Sequence, residues 1–117
     1  IGYADGVPRL LSNQLKGAIL NQDLSSSSAY LVSQIGAITM DQIMLDISDV
    51  PTVQEGDVVV FLGQAYSQIL DADHWANLTD TISWEILCGF KHRLPRITKP
   101  LPTSLTSPAS TSHAADN

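Results

Sequence analysis

Five consecutive apolar residues, Val58-Val59-Val60-Phe61-Leu62, lie between Gly56-Asp57 and Gly63. Three β-branched valines in a row lose rotamer freedom in a helix but pack well on a pleated surface, and glycine punctuation fixes the run at strand length. An unbroken apolar run, rather than an alternating one, predicts a strand covered on both faces. Upstream, Gln42-Ile43-Met44-Leu45-Asp46-Ile47-Ser48 alternates, with Ile43, Leu45 and Ile47 set against Met44, Asp46 and Ser48. That is the period of a half-buried strand. Gly17-Ala18-Ile19-Leu20 and Tyr30-Leu31-Val32 are weaker strand candidates, separated by a polar Ser25–Ser28 loop, and Lys91–Ile97 reads as a final edge strand because of Pro95. Helical signals are few. Asp71 or Asp73 can cap a turn through His74, Trp75, Ala76 and Leu78. A second helix starts near Asp80-Thr81, carries Ile82 and Ile86 four apart, and ends before Gly89. Many short strands with one or two short helices predict an all-β domain, a small closed or nearly closed β-barrel.

The sequence has 117 residues, enough for one modest core. From Thr98 onward it is rich in Pro, Ser, Thr and Ala, a composition that cannot bury enough apolar surface to offset its ordering entropy. The expected organisation is therefore a folded domain over 1–97 and a disordered tail over 98–117. The formal net charge is −6, which argues against nucleic acid as a partner. Lys91, Arg93, Arg96 and Lys99 hold four of the six basic residues and read as a solvated face or a partner-facing edge. Cys88 is the only cysteine, so no internal disulfide can form. Its neighbours Ile86, Leu87 and Phe90 predict a buried, inert thiol, and a cytoplasmic setting is expected. No apolar run is long enough for a membrane span.

No phosphate-cradling glycine loop, dinucleotide fingerprint, nucleophile elbow or paired-cysteine metal site is present, and His74, His92 and His113 lack metal-ligand spacing. Three segments remain as carriers of chemistry. In Gly2-Tyr3-Ala4-Asp5-Gly6-Val7-Pro8-Arg9, Tyr3 is either a packed aromatic or a proton carrier. A free phenol titrates near pH ~10, so the second role needs cationic help or a proton acceptor. Asp5-Gly6 reads as turn chemistry. In Gly36-Ala37-Ile38-Thr39-Met40-Asp41-Gln42, either Met40 belongs to the core or the segment offers backbone N–H groups and a carboxylate to a small polar ligand. In Asp80-Thr81-Ile82-Ser83-Trp84-Glu85, the start of a helix would favour an anion such as phosphate.

Taken together and in order, these segments resemble the C-terminal domain of alanine racemase. The resemblance runs through Ile1-Gly2-Tyr3-Ala4-Asp5-Gly6, Met40-Asp41-Gln42 with Met44 and Asp46, Gly56-Asp57-Val58-Val59, Thr81-Ile82-Ser83-Trp84-Glu85-Ile86-Leu87-Cys88 and Arg93-Leu94-Pro95-Arg96. It implies a pyridoxal-phosphate enzyme that interconverts L- and D-alanine. An N-terminal α/β barrel would hold the cofactor on a lysine, and two subunits would pack head to tail as a homodimer. The β domain of one subunit would complete the active site of the other. Under that resemblance Tyr3 is one of two catalytic bases, Met40 and Asp41 line the substrate site, and Trp84 helps hold the cofactor phosphate. The cofactor ring would absorb the carbanion charge while two bases serve opposite faces of Cα.

Three positions depart from the family pattern. Val7 replaces an aromatic, Ala37 replaces a common arginine, and Trp84 replaces a tyrosine; an indole N–H donates but cannot accept. The resemblance also implies that the barrel and its lysine lie outside this sequence, so the fragment alone is expected to be inactive. The alternative is a stand-alone, non-catalytic β module for assembly or ligand binding. A barrel with a lysine near its start in the upstream reading frame would separate the two.

Overall fold

A computed structural model describes residues 1–21 and 28–100. The serine loop (up to Ser27), the tail from residue 101 and His113 lie outside the described residues. Six strands and two helices follow in order: β1 (Lys16–Leu20), β2 (Ala29–Ile35), β3 (Met44–Leu45), β4 (Val58–Val60), β5 (Gly63–Ala65), β6 (Gln68–Leu70), α1 (Ala72–Leu78) and α2 (Ser83–Cys88). Single 3-10 turns at Tyr3–Asp5 and Arg9–Leu11 precede them. The strands form an antiparallel sheet in the order β3-β2-β1-β4 and a hairpin, β5-β6. Together with two short helices they make a curled half-barrel, within the all-β, small-barrel class expected.

The two weaker strand candidates form the centre of the sheet. Ala18 lies opposite Leu31 on β2 and Val60 on β4, and the long β1–β2 pairing runs from Lys16–Ser33 to Leu20–Ala29. β2 also buries a polar side chain, Gln34. That side chain is fully used: its Oε1 accepts from Asn13 N–H (2.6 Å), and its amide donates to the Ile35 and Gly36 carbonyls (3.0 and 2.9 Å). A buried amide so satisfied avoids the desolvation penalty of an unpaired polar group.

Four expectations need correction. The Val58–Leu62 run is not covered on both faces: β4 ends at Val60, lies at the sheet edge and leaves Val58 54% exposed. The alternating segment pairs only over Met44–Leu45, and Ile47 is exposed. Lys91–Ile97 is not a strand; it leaves α2 through a turn, which lets Arg93 fold back onto the body of the domain. Ile82 precedes α2 as its N-cap and is exposed, so Ile86 alone is buried from that pair.

The first helix forms as expected, with Asp71 Oδ1 accepting the His74 N–H (2.9 Å) at the N-cap. The core joins the N-terminal segment to the two helices: Val7, Leu11, Leu15 and Ile38 pack with Trp75, Ala76 and Ile86. Trp75 also meets Phe90, with ring centroids 6.0 Å apart. Among the described residues no helix is long and apolar enough to cross a membrane.

Candidate functional site

The first six residues are anchored to the 39–41 segment by backbone pairing. Ile1 N donates to the Asp41 carbonyl (3.0 Å), Tyr3 N–H to Thr39 (2.9 Å) and Ala4 N–H to Met40 (3.1 Å). Glycine is required at position 2 by this approach, because a Cβ there would sit 2.1 Å from the Thr39 oxygen and 2.5 Å from the Met40 carbonyl carbon. The receiving segment is itself held. The Ile38 side chain is buried and its N–H donates to Ser12 Oγ (2.9 Å). Beyond it, Thr39 and Gln42 close a turn, with Thr39 Oγ1 donating to the Gln42 carbonyl (2.9 Å) and accepting from its N–H (3.0 Å). Met40 and Asp41 occupy the tip of that turn.

Tyr3 is therefore neither a packed aromatic nor a loose one. It is 49% exposed on a backbone tied at three points, and Met40 beside it is equally exposed rather than in the core. Asp41 is exposed too. The backbone pairing thus sets the exposed Tyr3, Met40 and Asp41 on two adjoining segments. Among the described residues no hydrogen bond involves the Tyr3 hydroxyl.

Asp5 is more than a turn residue. Its side chain is 6% exposed, accepts the Gly2 N–H on Oδ2 (2.9 Å), and pairs through Oδ1 with Arg93 Nε (3.2 Å). Gly6 follows in the left-handed region (φ 116°) against the end of α2, where a Cβ would meet the Gly89 oxygen at 2.6 Å. Sequence reading missed the Asp5–Arg93 pair. Both residues fell within segments of the family resemblance, but nothing in the sequence joined them, and 88 positions separate the partners.

Trp84 belongs to a different element, the first turn of α2, and is 76% exposed. Its turn is set by Thr81, whose hydroxyl donates to Glu85 (2.7 Å) and whose N–H donates to the Ala76 carbonyl at the end of α1 (2.9 Å). No hydrogen bond among the described residues uses the Trp84 indole. Cys88, expected to be buried, is exposed on this chain because α2 turns only Ile86 fully into the core. Arg96 donates to the Phe90 carbonyl, and with Lys91 and His92 it edges an open groove of about 700 Å³ beside Leu87 and Cys88. Asp46, just past β3, has its carboxyl held below its ordinary value of 3.8 by hydrogen bonds from the Ser48 hydroxyl and N–H. Among the described residues no cluster of His, Cys, Asp or Glu could hold a metal ion.

The fold is a half-barrel β domain whose first residues and 39–41 segment interlock and leave a tyrosine, a methionine and an aspartate exposed. The chain belongs to the alanine racemase C-terminal domain family, whose model matches residues 1–98. It is 55% identical over 97 residues to the alanine racemase of a Nostoc species and 57% identical over 97 residues to that of a Synechocystis species. Those matches cover 83% of this chain and 23% and 24% of the relatives, so the chain spans about a quarter of their length. Among solved structures it resembles a Bartonella henselae alanine racemase with covalently bound pyridoxal phosphate (34% identity, TM-score 0.64, 83% of this chain and 25% of that one). It also resembles a Bacillus anthracis alanine racemase with bound L-Ala-P (32% identity, TM-score 0.65, 83% and 22%).

Proposed function

We propose that this chain is the C-terminal β domain of a pyridoxal-phosphate-dependent alanine racemase, and that Tyr3 is the base acting on L-alanine. The carrying observation is the ladder that fixes Tyr3 beside Met40 and Asp41 while leaving its phenol half exposed and unpartnered. A phenol on a rigid loop meets the positional demand of a base, and proton transfer by a positioned group contributes ~10²–10⁴-fold. Its cationic support would come from the N-terminal barrel of the second subunit in a homodimer. Met40 and Asp41 would form the wall on the same side of the substrate.

Trp84 would serve the phosphate end of the cofactor. Trp84 offers a free, exposed indole N–H, one donor suited to one phosphate oxygen. When bound, pyridoxal phosphate supplies the electron sink that makes the Cα proton removable. Tyr3, in its phenolate form, would take the proton from Cα of L-alanine and so become the phenol, and in the reverse direction the phenol would return a proton to the same face. In this reading the protein works in the cytoplasm, where free alanine is its substrate.

Racemisation by full-length enzyme carrying Tyr3→Phe tests the proposal. The rate is expected to fall about 100-fold or more in both directions; an unchanged rate would remove Tyr3 from the mechanism. The isolated chain is expected to be inactive and to bind no cofactor covalently. Stoichiometric borohydride trapping of pyridoxal phosphate on exposed Lys16 or Lys91 would contradict that.

A further inference from the structure

We infer that Arg93 is a positioning residue for the Tyr3 phenol, acting through Asp5. The inference rests on the proposed role of Tyr3 as a base. Asp5 and Tyr3 share one 3-10 turn, Tyr3–Asp5, so the carboxylate and the phenol are two residues apart on a single rigid unit. Asp5 is buried and acceptor-only, with one oxygen on the Gly2 N–H and the other on Arg93 Nε. Arg93 is half exposed, at 51%, and is the one cation ion-paired to that carboxylate among the described residues.

The turn has little freedom to absorb a change at Asp5. Ala4 between the two residues is bonded to Met40, Gly2 is wedged against Thr39, and Gly6 is wedged against Gly89. Removing the guanidinium leaves a buried carboxylate short of a partner, a cost large enough to open part of this anchoring and rotate the turn toward water. The same rotation carries Tyr3 with it. A displacement on the order of 1 Å at a catalytic group can cost ~10²-fold. Arg93 thus links the segment after α2 to the proton-transfer step without touching substrate.

A double-mutant cycle on the full-length racemase decides the matter. Arg93→Ala is expected to lower kcat/KM for racemisation about 10- to 100-fold, and Arg93→Lys, which keeps the charge, to recover part of that loss. In a Tyr3→Phe background Arg93→Ala is expected to change kcat/KM by less than about threefold, because the group it positions is gone. A general folding defect would instead multiply through both backgrounds. Asp5→Asn, which keeps an acceptor for Gly2 but not the ion pair, is expected to behave as Arg93→Ala does. If Tyr3→Phe slows the enzyme yet Arg93→Ala costs the same factor with and without Tyr3, or costs nothing, the positioning role is overturned while the catalytic role of Tyr3 stands. If Tyr3→Phe itself leaves the rate unchanged, the catalytic reading falls and this inference falls with it.

Discussion

The loop that carries Tyr3 and the helical turn that carries Trp84 are built in opposite ways. Residues 1–6 are locked into the rest of the chain: three backbone bonds to the 39–41 segment, a buried carboxylate paired with Arg93, and two glycines that leave no room for a Cβ. The first turn of α2 is anchored only from behind, by Thr81 and the buried Ile86, and Trp84 stands out from it at 76% exposure. A group that must meet a moving proton within a fraction of an ångström needs the first kind of construction. A group that donates one hydrogen bond to a phosphate can be settled by the ligand itself. On the proposed reading, the domain supplies one element already formed and another that the cofactor and the rest of the enzyme would complete.

The contrast can be broken most severely at Gly2. Gly2→Ala puts a Cβ against backbone atoms that cannot give way, so the ladder must open, at a cost of about 3 kcal/mol or more at the upper end of overpacking. A urea melt of the chain reads this directly. Gly6→Ala is expected to cost somewhat less, about 2 kcal/mol, from a positive φ combined with the Gly89 contact. On the other side, Trp84→Ala should change stability by no more than about 0.5 kcal/mol, as exposed substitutions do, while weakening retention of pyridoxal phosphate by the full-length enzyme in dialysis. A large loss of stability from Trp84→Ala would show that α2 is as integral as the Tyr3 loop.

The smallest effect concerns Asp46. Its carboxyl is depressed by the Ser48 hydroxyl first and the Ser48 N–H second, so the stabilisation belongs to the ionised form. It is fully present above the ordinary value of 3.8 and is lost as pH falls through the lower folded value. Ser48→Ala should therefore weaken the chain slightly at neutral pH and lose that difference in strong acid, and it should raise the Asp46 pKa in a carboxyl-detected NMR titration. An unmoved titration would contradict the assignment.

Local physics made some of this legible in the sequence. Asp71 caps α1 as its side-chain chemistry dictates, and glycine punctuation marked the start of β4 and the end of α2. Register and burial were less legible where tertiary context overrode pattern. β2 continues past Tyr30-Leu31-Val32 through Gln34, a polar side chain that only the fold satisfies, and the valine run looked central because its length does not report that β4 lies at an edge. The site divided along the same line. Tyr3, Met40, Asp41 and Trp84 stood out through the family resemblance, but the ladder joining the first three spans about 40 residues of sequence, and no local signal announces it. Arg93 was hidden for the same reason: the basic stretch around it is exposed at Lys91, His92 and Arg96, and only the fold shows that its middle member reaches a buried carboxylate.

The central claim is that the locked loop exists to place the Tyr3 phenol at Cα on the L-alanine face. The most direct measurement is the kinetic isotope effect of full-length Tyr3→Phe enzyme on Cα-deuterated L-alanine and, separately, on Cα-deuterated D-alanine. With the base for the L face crippled, that proton transfer becomes the slow step. The account predicts an isotope effect that rises for L-alanine and stays small for D-alanine. Equal effects on the two enantiomers, at a rate close to that of the unmodified enzyme, would contradict it.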